Sequence, residues 1–276
     1  MPATLFVVST PIGNLEDITL RAVRTLREVA VIAAEDTRRT GQLLQHFEIR
    51  TPMISLHEHN ERQRTPGLLA RLQAGESIAL VSDAGTPLVS DPGFHFVREA
   101  VRAGVPVQSV PGPSSLTAAL AVSGLPVDRF TFVGFPPARQ AQRGTFFAGL
   151  AGQPGTLVLF EAPQRIRPTL EDVRAHLGDR MVVLARELTK VHETVSRGWV
   201  SELLAGAIEE RGEYVVMVSD KLNAVLSDAS VVTDAELRDR FGEMTKSGAC
   251  SRRDAVSALA EQYQVSKQRV YKATGS

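Results

Sequence analysis

The stretch Ser82-Asp83-Ala84-Gly85-Thr86-Pro87 places a carboxylate directly after an apolar run and follows it with small residues. A carboxylate there can accept hydrogen bonds from the ammonium or hydroxyl groups of a ligand. Residues without bulk let the backbone approach that ligand closely. Pro111-Gly112-Pro113-Ser114-Ser115 leads straight into a helical pattern, so free N–H groups and two hydroxyls stand at its start. Glu35-Asp36-Thr37-Arg38-Arg39 sets two acids beside two arginines. That pattern suits an acid or base next to a phosphate-holding arginine, and it also suits a surface ion-pair cluster of small energetic weight. His57, Glu58 and His59 follow a third apolar run. With the histidines two apart on a strand, they share one face. Two histidines fall short of a metal site and no H-E-x-x-H occurs, so proton transfer or substrate positioning is the better expectation. Neither a G-x-G-x-x-G after the first strand nor a G-x-x-x-x-G-K-[ST] loop is present.

The elements that must hold these residues can be read from hydropathy. Strands are expected at 4–9, 29–36, 51–60, 77–85 and 105–113, with helices at 19–29, 65–74, 94–103 and 114–124. Nearly continuous apolar strands alternating with helices predict a mostly parallel sheet covered on both faces. In such a sheet ligands bind beyond the carboxyl ends of the strands, where all of these dense tips fall. Residues 124–130 read as a linker. Strands then follow at 130–137, 155–163, 181–190, 192–199 and 213–220, with helices near 140–150, 164–177 and 199–210. The two consecutive strands predict a mixed second sheet. Glu161, Arg165, Arg186, Glu187, Lys190, His192 and Glu193 sit near strand ends, as a second wall of the same cleft would require.

The expected architecture is therefore α/β: two α/β/α domains, 1–124 and 125–222, with a cleft between them. A linker at 221–232 leads to a helical, helix-turn-helix-like tail at 233–276. Between Lys246 and Lys272 the tail carries six Lys/Arg against two acids, in a chain of zero formal net charge. Ala255, Leu259, Val265 and Val270 would form its seam, and Arg252, Arg253, Lys267 and Arg269 could meet phosphates. With 43% apolar residues among 276, wholesale disorder is excluded. A single cysteine, Cys250, excludes disulfide frameworks and multi-cysteine zinc sites. No apolar run approaches the ~20 residues of a membrane span, and the beginning MPATLFVVST lacks a basic region before its apolar run. A cytoplasmic protein is expected.

Taken together, VVSTPIGNLEDITLRA, AEDTRRTGQLL, HEHNE, LVSDAGTPLVSDPG, PGPSS, FEAPQR, ARELTKVHE and GEYVVMV resemble the ribosomal RNA small-subunit methyltransferase I family, within the tetrapyrrole methylase superfamily. The resemblance runs in order over residues 4–220; Gln164 stands where the family often has His. It implies S-adenosylmethionine as cofactor, a homodimer, and methylation of a cytidine 2′-hydroxyl in 16S ribosomal RNA, at cytidine 1402 of the decoding region. The substrate would be the RNA or the small ribosomal subunit that contains it. Carried over to this chain, the cofactor residues are Pro11, Asp83, Gly85, Thr86, Pro87, Ser114, Ser115, Leu159, Ala185 and Glu213. A ribose hydroxyl needs a base as the new bond forms. The candidates are Asp36, His57, Glu58 and His59, with Arg38 on a phosphate. Arg39, Glu161, Arg165, Arg186 and Lys190 are expected to bind substrate, together with the four tail cations. No metal is required by a displacement of this type. The alternatives are a tetrapyrrole methyltransferase, which would have little use for a basic tail, and a non-catalytic RNA-binding or ribosome-assembly factor, which would not need a carboxylate-lined cleft.

Overall fold

The computed structural model describes residues 3–220, 234–246, 251–263 and 267–275. Its first sheet comprises β1 (Leu5–Val8), β2 (Val31–Ala34), β3 (Met53–Ser55), β4 (Ile78–Val81) and β5 (Val107–Val110). All pairings are parallel, in the order β3-β2-β4-β1-β5. Every residue of β2 and β4 is buried, because helices cover both faces. On one face Leu26 of α1 (Leu20–Glu28) and Leu44 of α2 (Thr37–His46) pack on Val8, Ile32 and Val81. On the other, Leu68 and Leu72 of α3 (Glu61–Gln73) and Phe96 of α4 (Phe94–Arg102) pack on Leu5, Val31 and Leu80. The chain thus leaves the neighbouring strands β1 and β4 toward opposite faces, which opens a crevice beyond their carboxyl ends.

Two local differences from the sequence expectation bear on the site. Helix α2 is absent from that expectation: its first turn is wholly polar, which hides the periodicity of Thr40, Leu43 and Leu44. It starts because the Asp36 side chain accepts a hydrogen bond from the Arg38 N–H at 2.8 Å. The third strand also ends early, at Ser55. Asn60 accepts from the His57 N–H at 2.9 Å and donates to the Ser55 carbonyl at 3.3 Å, folding residues 58–60 into a turn before α3. His57 and His59 therefore do not share a strand face.

Helix α5 (Ser115–Ser123) leaves β5 and packs on the second sheet instead of the first. That sheet has the order β6-β7-β10-β8-β9, from β6 (Phe130–Phe132), β7 (Thr156–Glu161), β8 (Met181–Arg186), β9 (Thr194–Trp199) and β10 (Tyr214–Val218). β6 runs parallel to β7, and the remaining pairs are antiparallel. Helices α6 (Gln140–Gly149), α7 (Ile166–Leu177) and α8 (Val200–Ala205) bury Phe147, Ile166, Leu170 and Val200 on one face. Ala119 and Leu120 of α5 cover Val158, Met181, Val183 and Met217 on the other. Both sheets belong to one compact unit, Met1–Leu222.

The second unit, Asn223–Ser276, holds α9 (Asp234–Lys246), α10 (Arg252–Gln262) and α11 (Lys267–Thr274). Leu237, Phe241, Ala255, Val256, Leu259 and Val270 form its core. Val265, expected in that seam, and Cys250 lie outside the described residues. Among the described residues no helix is long and apolar enough to cross a membrane.

Candidate functional site

A cavity of about 380 Å³ lies within the first unit, between the strand tips of the first sheet and one face of the second. Three tips build the first wall. Thr10 and Gly85 exchange both main-chain hydrogen bonds at 2.9 Å, tying the tip of β1 to that of β4. Gly85 has φ +79°, a left-handed conformation that favours glycine. The Ser9 and Thr86 hydroxyls are 2.9 Å apart, and Thr86 donates on to the Pro113 carbonyl at 3.3 Å, which brings in the tip of β5. Ser114 makes no side-chain cap at α5, and Ser114 and Ser115, at the start of that helix, both line the cavity.

Carboxylates crowd behind this wall. The Asp36 N–H donates to Asp83 at 3.0 Å, the Asp83 N–H donates to Glu35 at 3.3 Å, and Arg39 lies 3.5 Å from Asp83. Burial raises the Glu35 pKa, and the charge of Asp83 adds to the effect. Asp91, on the cavity wall, is pushed up to about 6 by burial, with Glu35 and Asp83 adding to the rise. Asp36 goes the other way: hydrogen bonds from the Arg38 side chain and N–H lower it to about 2. Asp36 is thus a helix cap clamped by an arginine that is 89% exposed, and neither lines the cavity.

The second wall follows from strand alternation. Phe160, Val215 and Ala185 stand abreast on β7, β10 and β8, and with Leu188 they give the cavity an apolar side. Leu159, one residue from Phe160, points to the opposite face and is 0% exposed in the core beneath α7, so its side chain does not reach the cavity. Glu161 shares that far face. Its carboxylate accepts from Thr169 Oγ1 at 2.5 Å, the Ala162 N–H at 2.8 Å and Arg165 Nε at 2.6 Å. The pair expected to bind substrate instead braces the turn after β7, where Arg165 also donates to the Pro136 carbonyl at 3.2 Å. Only the main chain of Glu161 borders the cavity, since its side chain is fully buried.

Other expected residues divide similarly. Gly85, Thr86, Ser114, Ser115, Ala185 and Glu213 line the cavity; Pro11, Asp83 and Pro87 lie beside lining residues without lining it. Lys190 bridges Glu187 at 3.0 Å and Glu213 at 2.8 Å. A Cβ on Gly13 would lie 2.5 Å from Lys190 Cγ, so the β1 tip nests directly against this bridge. Arg186 donates to Thr194 at 3.2 Å, away from the cavity. The Thr189 N–H donates to Glu193 at 2.6 Å within their turn, and His192 is exposed. His57, Glu58 and His59 stand outside the cavity lining. The His57 and His59 rings meet edge-on at 5.9 Å, and Asn60 Nδ2 lies 3.1 Å from His57 Nε2. Among the described residues no three His, Cys, Asp or Glu are grouped to hold a metal ion. In the second unit Arg252, Arg253 and Lys267 are exposed and Arg269 is half-buried. The Arg252 guanidinium lies 5.9 Å from the Phe241 ring centre. Motif reading missed Phe160 and Val215, whose signal is the period-two pattern of their strands, and Leu188, which lies in the turn after β8. It also missed Asp91, whose signal is the second acid of LVSDAGTPLVSDPG.

The chain is similar to known proteins over most of its length. Tetrapyrrole (corrin/porphyrin) methylases match residues 4–204. A ribosomal RNA small subunit methyltransferase I of Pseudomonas aeruginosa is 52% identical, covering 78% of each chain. The protein of that name from Synechocystis is 44% identical over 97% of this chain and 95% of its own. Among solved structures, diphthine synthase superposes with a TM-score of 0.60 at 18% identity, covering 79% of this chain and 90% of that one. A uroporphyrin-III C-methyltransferase from Thermus thermophilus gives 0.56 at 21%, covering 79% and 94%. At these identities the structural likeness concerns the fold.

Proposed function

The chain belongs to the ribosomal RNA small subunit methyltransferase I family, within the tetrapyrrole methylases, and on that premise we propose that it methylates a cytidine ribose 2′-hydroxyl of 16S ribosomal RNA, with S-adenosylmethionine as donor. The observation that carries this reading is the cavity itself, with polar main chain on one wall and an apolar row on the other. Its size lies in the range of small-molecule sites. The donor's parts match what the walls offer. Phe160, Val215, Ala185 and Leu188 suit an adenine ring. The first turn of α5 suits a carboxylate. Gly85 leaves room for backbone contact, and Asp91 and Glu213 tolerate positive charge. When bound, S-adenosylmethionine supplies an electrophilic methyl carbon on a positively charged sulfur.

The residues of the chain do the rest. Bonds lacing the tips of β1, β4 and β5 fix the site before substrate arrives, so alignment costs little at the moment of reaction. The apolar row excludes water from the reacting centre. Arg38 and Arg39 on α2 meet RNA phosphates, as do Arg252, Arg253, Lys267 and Arg269 of the second unit. Two copies of the chain act together, with the RNA within the small ribosomal subunit as substrate. The test is to map ribose methylation of 16S RNA in cells with and without the gene. Loss of one cytidine 2′-O-methyl group is expected; an unchanged map would refute the reading.

A further inference from the structure

Among the described residues, Phe135 is the only large apolar side chain that lines the cavity and is also exposed, at 56%. A ring left in water forgoes the burial that stabilises the rest of the apolar row, yet the fold fixes this one closely. The Val133 N–H donates to the Val158 carbonyl at 2.9 Å and the Phe160 N–H to the Gly134 carbonyl at 3.1 Å, so the chain stays paired with β7 up to Phe135. Gly134 then turns in left-handed backbone, φ 68°, next to Ser90 of the opposite wall, whose Oγ would lie 3.5 Å from a Cβ there. Pro136 and Pro137 follow, and each holds the residue before it in extended backbone. Pro136 is buried, and its carbonyl accepts from Arg165 at 3.2 Å. The Phe135 ring leans on Phe160 at 5.5 Å and 59°, and Phe160 in turn meets Phe132 edge-on at 4.8 Å. The result is an aromatic ring held on one side and open on the other.

We propose that Phe135 is a substrate-binding residue, on whose open side the base of the nucleotide undergoing methylation stacks, an inference that rests on the function proposed above. The base is bonded to the ribose carbon next to the one that carries the reacting hydroxyl. A 2′-oxygen brought up to a methyl group in the cavity therefore draws its own base to the cavity wall and away from its neighbours in the RNA. Losing those neighbours is unfavourable. An aromatic ring offsets the loss, because every base presents a π face to it. A ring already fixed by Phe160, Gly134 and two prolines gives up little conformational freedom when a base stacks on it. Val215 and Leu188 are buried and Phe160 is half-buried, so they keep to the adenine of the donor. Glu161 and Arg165 become positioning residues, acting on the ring through the Pro136 carbonyl. Stacking on phenylalanine does not distinguish one base from another, so the choice of cytidine rests on other contacts.

The experiment compares wild type with Phe135→Ala, Phe135→Leu and Phe135→Tyr in single-turnover methylation of subsaturating small ribosomal subunits. Calorimetric binding of S-adenosylhomocysteine and thermal unfolding are measured alongside. The alanine variant should lose about 5- to 150-fold in rate, the range that removal of one stacked ring gives. Leucine, apolar but without a π face, should recover little of that loss, and tyrosine should restore most of it. S-adenosylhomocysteine affinity and melting temperature should stay close to wild type in all three, since the ring is exposed. An alanine or leucine variant as fast as wild type, or a tyrosine variant as slow as alanine, overturns the proposal alone. So does a fall in melting temperature that tracks the loss of rate across the three, which would make the ring structural. A roughly tenfold loss of S-adenosylhomocysteine affinity in the alanine variant, equivalent to one factor of ten in binding, assigns Phe135 to the donor site and overturns it as well. A wild type that binds no S-adenosylhomocysteine, or leaves the subunit RNA unmethylated, overturns the proposed function and, with it, this role.

Discussion

The two walls of the cavity are made in different ways. Strand tips make the first: chain turns held by main-chain bridges, hydroxyl contacts and glycine geometry, with charged groups crowded behind. A sheet face makes the second: Phe160, Val215 and Ala185 abreast, each flanked along its strand by residues serving the opposite core. A tip can change residue type and keep its fold, so it carries chemistry. A sheet face cannot change register without exchanging every side chain between ligand and core, so it carries shape. The cavity joins a wall that specifies polar contacts to a wall that specifies an apolar outline.

Neighbouring residues of the second wall give the sharpest test of this division, and the largest expected effect. Leu159→Ala should cost about 2–5 kcal/mol of stability, as truncation of a fully buried leucine does, with the affinity for S-adenosylhomocysteine preserved in the folded fraction. Phe160→Ala should do the reverse: a modest fall in melting temperature and roughly tenfold weaker binding. Denaturant unfolding and calorimetry measure both. Equal binding losses in the two variants would mean that the strand does not divide its faces between core and ligand.

On the first wall, Gly85→Val forces a β-branched residue into a left-handed conformation, which costs roughly 1–2 kcal/mol. Its Cβ would also press on Ile12, another cavity residue, at 3.4 Å. Binding of S-adenosylhomocysteine should weaken about tenfold, with the cores of both sheets intact by circular dichroism. Unchanged affinity would remove the β1–β4 bridge from the binding site.

The smallest effect is expected at Asp36, which caps α2 and does not line the cavity. Asp36→Ala should lower the melting temperature slightly and leave methyl transfer near wild type. The folded pKa of Asp36 is depressed, from 3.8 to about 2. Its contribution to stability is therefore fully present above pH 3.8 and lost as pH falls through about 2. The gap in melting temperature between wild type and variant should close over that window. A hundredfold loss of turnover in this variant would return Asp36 to the chemistry.

The contrast between walls also explains what was legible in the sequence. The parallel first sheet, the mixed second sheet and the helical tail follow from apolar runs and their spacing. The tips of β1, β4 and β5 stood out because turns concentrate Gly, Pro, Ser and Asp. Helix α2 was hidden by its polar first turn, Thr37-Arg38-Arg39-Thr40. The sequence alone puts His57 and His59 on one strand face because nothing local announces that Asn60 pulls the chain into a turn. The resemblance points to Leu159 where Phe160 lines the cavity: both are apolar, and the pairing of β7 with β10 and the packing of each face assign their sides. Glu161 and Arg165 have the residue types of a substrate site, but their spacing across the end of a strand makes them partners of each other.

Incubation of the purified protein with methyl-labelled S-adenosylmethionine and small ribosomal subunits, followed by nuclease digestion and mass analysis of the labelled nucleoside, tests the central claim most directly. The label should appear in 2′-O-methylcytidine from a single site of the 16S RNA. Label on a cytosine ring, on another nucleoside, or nowhere in the RNA despite measurable binding of the donor would contradict it.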